Sequence, residues 1–346
     1  MNRSRAVRRV LAPLCAAALL LGLGACGDTE EAASSEGTLV IYSGRNESLV
    51  GPLLERLEDV TGIPVAIRYG TSSEMAAQLL EEGEGTDADL FFSQDAGALG
   101  ALAKAGRLTS LDEKTTSAVS ERFRDTDGHW VATSARARVL AYDPEQVPDI
   151  ASVHSVDAVL APQWKGKVGY APTNASFQAF VTALRVTRGE DGARSWLEQF
   201  KATDPQAYGN NLQVLDAVDS GDIALGLINH YYWFERVAEL GADKVNAKIH
   251  YLDSDDAGAL INVAGVGVLQ GSDQSEAALE AVEFLLSEEA QQYFADTTAE
   301  YPVVEGITST EHDLIPLEEL RSPTVDLNDL DSLDVTLKML DEVGLT

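Results

Sequence analysis

Three times before residue 100, a short apolar run stops at a cluster of small polar residues and a helical stripe follows. Residues 38–43 (TLVIYS) end in Ser43-Gly44-Arg45-Asn46, residues 64–69 end in Gly70-Thr71-Ser72-Ser73, and residues 88–93 (ADLFFS) end in Ser93-Gln94-Asp95. Runs this short and apolar read as buried strands, and the alternation with helices reads as an α/β sheet. In such sheets ligands sit outside the carboxyl ends of the strands, where these polar clusters fall.

The intervening helices obey the same logic. Val50, Leu53, Leu54, Leu57 and Val60 form one stripe that stops at Gly62, before Pro64. Ser73 is placed to cap a helix carrying Met75, Ala76, Leu79 and Leu80 as far as Gly83, and another begins near Gly97. The second half repeats the pattern, with strands over residues 139–143, 167–172, 223–229 and 259–269, the last containing Gly265 and Gly267. A helix bearing Leu279, Val282, Leu285, Leu286, Tyr293 and Phe294 comes next, and Leu330, Leu333, Leu337 and Leu340 mark a closing helix. The chain leaves a first lobe near Arg136 and returns near Ile261, as a hinged pair of lobes requires.

The first residues bear on compartment. Arg3, Arg5, Arg8 and Arg9 precede an apolar stretch at 10–23 that is short for a permanent membrane span. It closes in Leu23-Gly24-Ala25-Cys26, a lipobox-like ending that predicts cleavage after residue 25 and a lipid on Cys26. Residues 27–37 (GDTEEAASSEG) read as a flexible tether. The other cysteine, Cys15, lies in the segment expected to be removed, so no disulfide or thiolate metal site is expected. A formal charge of −31 argues against a nucleic-acid binder, which needs a basic face.

The stretch Asn229-His230-Tyr231-Tyr232-Trp233 succeeds the strand at 223–229 and enters a helix. Neighbours on a helix point about 100° apart, so either one tyrosine packs and the other lies at the surface, or both phenols converge on a ligand.

Taken in order, a set of segments is similar to the ferric-iron-binding proteins of bacterial ABC importers. They are Ile41-Tyr42-Ser43-Gly44-Arg45, Ala88-Asp89-Leu90-Phe91-Phe92-Ser93, Ser134-Ala135-Arg136-Ala137-Arg138-Val139, the run 164–173 (WKGKVGYAPT), Leu227-Ile228-Asn229-His230-Tyr231-Tyr232-Trp233 and Ala299-Glu300-Tyr301-Pro302. The resemblance implies a two-lobed periplasmic-binding-protein-like α/β fold, each lobe a mixed, mostly parallel sheet flanked by helices, with hinge strands between. Lobe 1 is expected over 38–136 plus 262–311 and lobe 2 over 137–261 plus 312–346. It further implies Fe³⁺ held between the lobes by Tyr231 and Tyr232, as transported ligand, with phosphate or carbonate as a possible synergistic anion. A hard trivalent ion prefers anionic oxygen, and it stabilises phenolates that are otherwise protonated.

The family often adds a histidine and a carboxylate at positions that align with Asn46 and Gln94, and both departures remove a strong ligand. Tyr69 and Asp95 are further candidates, each with a structural alternative as a packing tyrosine or a helix cap. Asn174, Ala175 and Ser176 match the family's anion site at a helix start, with Asn211 and Asn229 as flanking donors. Arg45, Arg136 and Arg138 are candidates to orient the anion or a phenolate, or else to form ion pairs. His230 is expected to point away from the site. The implied partner is an ABC permease, the implied protein a monomer anchored by lipid at the outer face of the cytoplasmic membrane. Related receptors for phosphonates, polyamines, thiamine or sugars are the alternative. An enzyme is not expected, because the chain has no His-Glu-x-x-His, no Gly-rich phosphate loop and no Ser/His/Asp set at strand ends; Asp87 and Asp89 lie at a strand's start.

Overall fold

Nine strands form one sheet in the computed structural model, which describes residues 37–253 and 255–346. They are β1 Leu39–Ser43, β2 Val65–Tyr69, β3 Leu90–Ser93, β4 Val131–Tyr142, β5 Val168–Tyr170, β6 Gln206–Ala207, β7 Leu225–Asn229, β8 Lys248–His250 and β9 Ile261–Val268. The order is β2-β1-β3-β9-β4-β7-β5-β6, with β8 also on β4. The signal segment, Cys15, Cys26 and the tether to residue 36 lie outside the described residues. Among the described residues no helix is long and apolar enough to cross a membrane.

The flanks of the sheet are parallel, as helix crossovers demand. Its centre is antiparallel, because β9 runs back between β3 and β4. β4 serves two partners in succession: its first half pairs with β9 as far as Ala137↔Ile261, and its second half pairs with β7 from Arg138↔Asn229. Only the second half of β4 is legible as a strand in the sequence. The first half reads Val-Ala-Thr-Ser-Ala-Arg-Ala, yet every one of those residues is buried. At Gly265 of β9 a Cβ would stand 2.6 Å from the Val131 carbonyl, so the close approach of β9 to β4 requires glycine.

Three helix details differ from expectation. The stripe from Val50 to Val60 is two helices, Glu47–Leu54 and Leu57–Thr61, with Pro52 inside the first. The break follows at Arg56, whose N–H donates to the Leu53 carbonyl (3.2 Å), a tighter 3-10 turn that shifts the helical period. Leu57 is therefore buried while Val60 is rotated outward and 39% exposed. The helix Ser72–Glu82 is capped by Thr71 rather than Ser73: the Thr71 hydroxyl accepts from Glu74 N–H, and the Glu74 carboxylate accepts from Thr71 N–H. The helix at 275–297 is likewise two, Ser275–Leu285 and Glu288–Thr297, the second capped by Ser287. The closing helix is Leu333–Val343 and packs on the helical segment Ala175–Ala202, which is two helices broken at Gly189 (φ 72, ψ 169). Just before it, the 3-10 turn Leu327–Asp331 packs on the helix Ala96–Lys104.

Candidate functional site

The tyrosine pair is placed by a strand that becomes a helix with no loop between. β7 ends at Asn229, opposite Arg138 of β4; His230 N–H still donates to the Ala137 carbonyl (3.0 Å); the helix Tyr231–Leu240 then begins. Tyr231 is 1% exposed and Tyr232 half-buried, and their ring centroids lie 4.2 Å apart at 32°. The side chains therefore lean together instead of diverging around the first turn. Burial, reinforced by the neighbouring Tyr232 phenol, raises the pKa of Tyr231 well above the usual tyrosine range, although Arg136 works in the opposite direction. Tyr231 is thus protonated at neutral pH unless a cation stabilises its phenolate.

His230 turns the other way and is fully buried. Its Nδ1 accepts from Ala137 N–H (3.2 Å), its Nε2–H donates to the Ala299 carbonyl (2.8 Å), and its ring stacks on Tyr301 at 4.6 Å. Burial lowers its pKa to about 4, so it is a neutral structural group. Tyr301 in turn donates to the Tyr251 hydroxyl (3.0 Å).

Beside the pair is an ion knot that residue-level reading did not assign. Arg45 donates both terminal nitrogens to Glu300 (3.1 and 2.8 Å), with both side chains fully buried. Ser134 adds a hydroxyl donor at 2.6 Å, and Arg136 Nη1 stands 3.7 Å from the same carboxylate. Burial pushes the Glu300 carboxyl up, but Arg45 and Arg136 outweigh it and hold it below its usual range. Glu300 is visible in the sequence only as part of a landmark segment; nothing local in Ala299-Glu300-Tyr301 announces its partner 255 residues away.

A narrow cleft brings together seven of the candidates: Gln94, Asp95, Arg136, Arg138, Ala175, Ser176 and Asn229. Asn174 caps the helix Ala175–Ala202, its Oδ1 accepting from Ser176 N–H (2.9 Å) and Ser176 Oγ–H (2.7 Å). That backbone N–H fixes which way the Asn174 amide faces. The buried Asn211 must then turn its NH₂ toward Asn174 Oδ1 (3.2 Å) and Ser176 Oγ (3.0 Å), which leaves Asn211 Oδ1 without a partner. Arg138 donates to the Ser176 and Leu227 carbonyls (3.1 and 3.4 Å) and lies over Phe180 at 4.8 Å. Among the described residues its Nε has no partner, nor have Nε and Nη1 of Arg136, whose Nη2 donates to the Gln94 carbonyl. Buried donors in this state are costly, and several of them around one cleft are suited to an oxyanion.

The other candidates go to structural tasks. Arg45 is taken up by Glu300 rather than turned to an anion. Asn46 is exposed and caps the helix Glu47–Leu54, accepting from Ser48 N–H (3.1 Å). Tyr69 is half-buried, its phenol shifted upward by burial and then by Glu47 and Glu55, and nothing connects it with the tyrosine pair. Asp95 lines the cleft but caps the helix Ala96–Lys104, accepting from Ala98 N–H (3.1 Å), and burial raises its pKa. Among the described residues no three His, Cys, Asp or Glu side chains are grouped to hold a metal.

Known proteins resemble this arrangement over most of their length. Residues 86–329 match the family described as bacterial extracellular solute-binding protein. The Fe(3+)-binding periplasmic protein of Serratia marcescens is 33% identical over 333 residues, 96% of each chain. The major ferric iron-binding protein of Neisseria meningitidis is 31% identical over 309 residues, 89% of this chain and 93% of that one. The crystal structure of iron-bound HitA from Pseudomonas aeruginosa superimposes with a TM-score of 0.82 at 34% identity, covering 89% of this chain and 99% of that one. These relatives are binding proteins rather than enzymes, and their two-lobed fold is the one expected from the sequence.

Proposed function

The chain belongs to the bacterial extracellular solute-binding proteins, in the branch of the ferric-iron-binding periplasmic proteins, and on that premise we propose that it captures ferric iron through Tyr231 and Tyr232. The observation that carries the reading is the leaning together of two adjacent phenols, 4.2 Å between ring centroids, at the carboxyl end of β7. Two phenols against one another are poor neighbours when ionised, because their like charges repel. A trivalent cation reverses that balance: it expels both protons and binds both oxygens, whereas a divalent ion of lower charge repays less of the deprotonation.

A synergistic oxyanion completes the shell in this reading, held by Ser176 and the backbone at 174–176, by Asn229 and by the free guanidinium donors of Arg136 and Arg138. Asn46, Tyr69 and Arg45 are left out of it, on the contacts described above. A ligand that touches both halves of the cleft favours the closed form, and a permease of an ABC importer reads that form. Lipid on Cys26 would hold the protein, as a monomer, at the outer face of the cytoplasmic membrane. The alternative of a small organic anion such as a phosphonate is favoured by the same guanidinium groups, which in turn disfavour cationic polyamines and thiamine.

Absorbance titration with a ferric salt tests the reading. Wild-type protein is expected to develop a phenolate-to-iron charge-transfer band in the visible, and the Tyr231→Phe/Tyr232→Phe double variant none. The same band in the double variant would remove the assignment, and metal-free protein that co-purifies with an organic anion would favour the alternative.

A further inference from the structure

One edge of β4 changes neighbours at Ala137. On that edge Val139 faces Ile228 of β7, while Ala135 exchanges two backbone hydrogen bonds with Tyr301 (2.8 and 2.9 Å). Ala137, between them, meets His230, the first residue past β7. A regular antiparallel pair would exchange two backbone bonds here as well. His230 N–H makes the first, to the Ala137 carbonyl (3.0 Å). The His230 carbonyl does not make the second, because it is turned into the helix Tyr231–Leu240 and accepts from Trp233 N–H (3.0 Å).

The side chain takes the carbonyl's place. Nδ1 of the imidazole accepts from Ala137 N–H (3.2 Å). The Ala137 carbonyl lies 3.3 Å from the same nitrogen but already accepts from His230 N–H. With Nδ1 an acceptor, the ring proton sits on Nε2 and is donated to the Ala299 carbonyl (2.8 Å). The ring is fully buried, stacks on Tyr301, and meets Tyr231 and Phe234 edge-on with centroids 5.9 and 6.2 Å away. One side chain thus ties β4, the segment 299–301 and the first turn of the helix together. Its backbone is already helical, φ −58 and ψ −42, where the residue ahead of a helix is ordinarily extended. That early turn leaves no loop between β7 and Tyr231, and the two phenol rings lean together at 4.2 Å.

We propose that His230 is the positioning residue of the tyrosine pair: its imidazole completes the β4 ladder where the strand-to-helix turn removes a carbonyl, and so fixes the turn that aims Tyr231 and Tyr232 at one ion. Both ring nitrogens are engaged with the main chain, so the histidine acts on the metal only through the tyrosines. A side chain without the acceptor leaves a buried N–H unpaired, which is relieved when the helix start slides and a carbonyl returns to Ala137. Neighbouring residues on a helix point about 100° apart, so a slide of one residue re-aims both phenols. The inference rests on the ferric reading above.

The test compares His230→Asn, His230→Gln and His230→Leu in the full mature protein titrated with ferric nitrilotriacetate. Asparagine carries an oxygen where Nδ1 lies and can keep the Ala137 bond; glutamine carries an N–H near the place of Nε2 and can keep the Ala299 bond; leucine keeps neither. Two quantities are read: the wavelength of the charge-transfer band at saturation, and the rate of iron release to an excess of competing chelator. His230→Asn is expected to hold the wild-type band and a release rate within about threefold of wild type, whereas His230→Gln and His230→Leu shift the band and release iron on the order of tenfold faster or more. Leu197→Ala, at a buried core position, lowers stability but should leave band and release at wild-type values, which separates positioning from general loosening. Wild-type band and release in all three His230 variants, or in His230→Gln but not His230→Asn, would overturn the inference while leaving the ferric reading in place. Absence of the band in the wild-type protein would overturn the ferric reading itself. Should His230→Leu fail to fold, the asparagine and glutamine variants decide alone.

Discussion

Arg136 and Arg138 stand two residues apart on β4, on the same side of the strand by its alternation, and both are 3% exposed. Both line the narrow cleft, but their other neighbours differ. Arg136 belongs to the half of β4 paired with β9 and borders the knot in which Arg45, Ser134 and Glu300 satisfy one another. Arg138 belongs to the half paired with β7 and borders the cleft of Ser176 and Asn229, where no carboxylate among the described residues answers it. Burial takes the Arg138 guanidinium down to about 9, far below its ordinary value; for Arg136 burial also lowers it, and Glu300 works the other way. The lesson is that a buried charge becomes a fastening or a receptor according to what a remote segment delivers to it. The strand that carries it does not decide.

The contrast can be broken most decisively at Glu300. Glu300→Ala leaves Arg45 and Arg136 buried without a counter-charge, and is expected to cost about 3–5 kcal/mol of unfolding free energy in a denaturant titration. An unchanged midpoint would mean that the knot is no fastening. Acid should reach the two regions in separate windows. Because the folded pKa of Glu300 is depressed, its contribution is present above the unfolded value near ~4.3 and lost as pH falls through the lower folded one. In the proposed reading Tyr231 and Tyr232 each give up a proton to the metal, so iron affinity should fall already from neutral pH, by about two decades per pH unit. A flat affinity between pH 7 and pH 5 would rule out ligation by a pair of phenolates.

At Arg138 the sign should differ from that at Glu300. Removing a lone buried cation as Arg138→Gln is expected to change unfolding free energy by less than about 1 kcal/mol, or to raise it. A loss as large as that of Glu300→Ala would erase the distinction. The smallest effect concerns Ala299, which holds φ 52 just before Glu300. A non-glycine residue in this left-handed region is strained, so Ala299→Gly should gain up to about 1 kcal/mol in the melting analysis. Loss of stability there would mean that the Cβ of this buried alanine, beside Tyr231 and Phe234, contributes more than its backbone costs.

Much of the fold is legible in the sequence, for identifiable reasons. The short buried strands announce themselves by continuous apolar composition, and the helix after β7 by Phe234 and the residues around it. Thr71-Ser72-Ser73-Glu74 contains a complete capping box, and a cap at Ser73 overlooks the glutamate three places after Thr71. Val60 is misplaced on the predicted stripe because a tighter turn at Arg56 shifts the helical period on which the stripe is drawn. The first half of β4 is hidden because its serine and arginine look solvent-facing, and they find their partners only in residues 94 and 300. Long-range pairing of that kind leaves no local signature. It is also why Arg45, Arg136 and Arg138, alike in the sequence, cannot be sorted there into an ion pair, a shared neighbour and an unanswered cation.

β4 passes from one neighbour to the next between Ala137 and Arg138 without interruption. A strand used this way is a torsion bar: if one half of the sheet turns against the other, the twist concentrates in the few bonds at the changeover, while the ladders on either side stay whole. The guanidinium groups at 136 and 138 flank those bonds, so a rotation there would swing one charge relative to the other. A pair of spectroscopic labels flanking the changeover would then record each capture as a change in angle, even where the outer contour of the molecule scarcely alters.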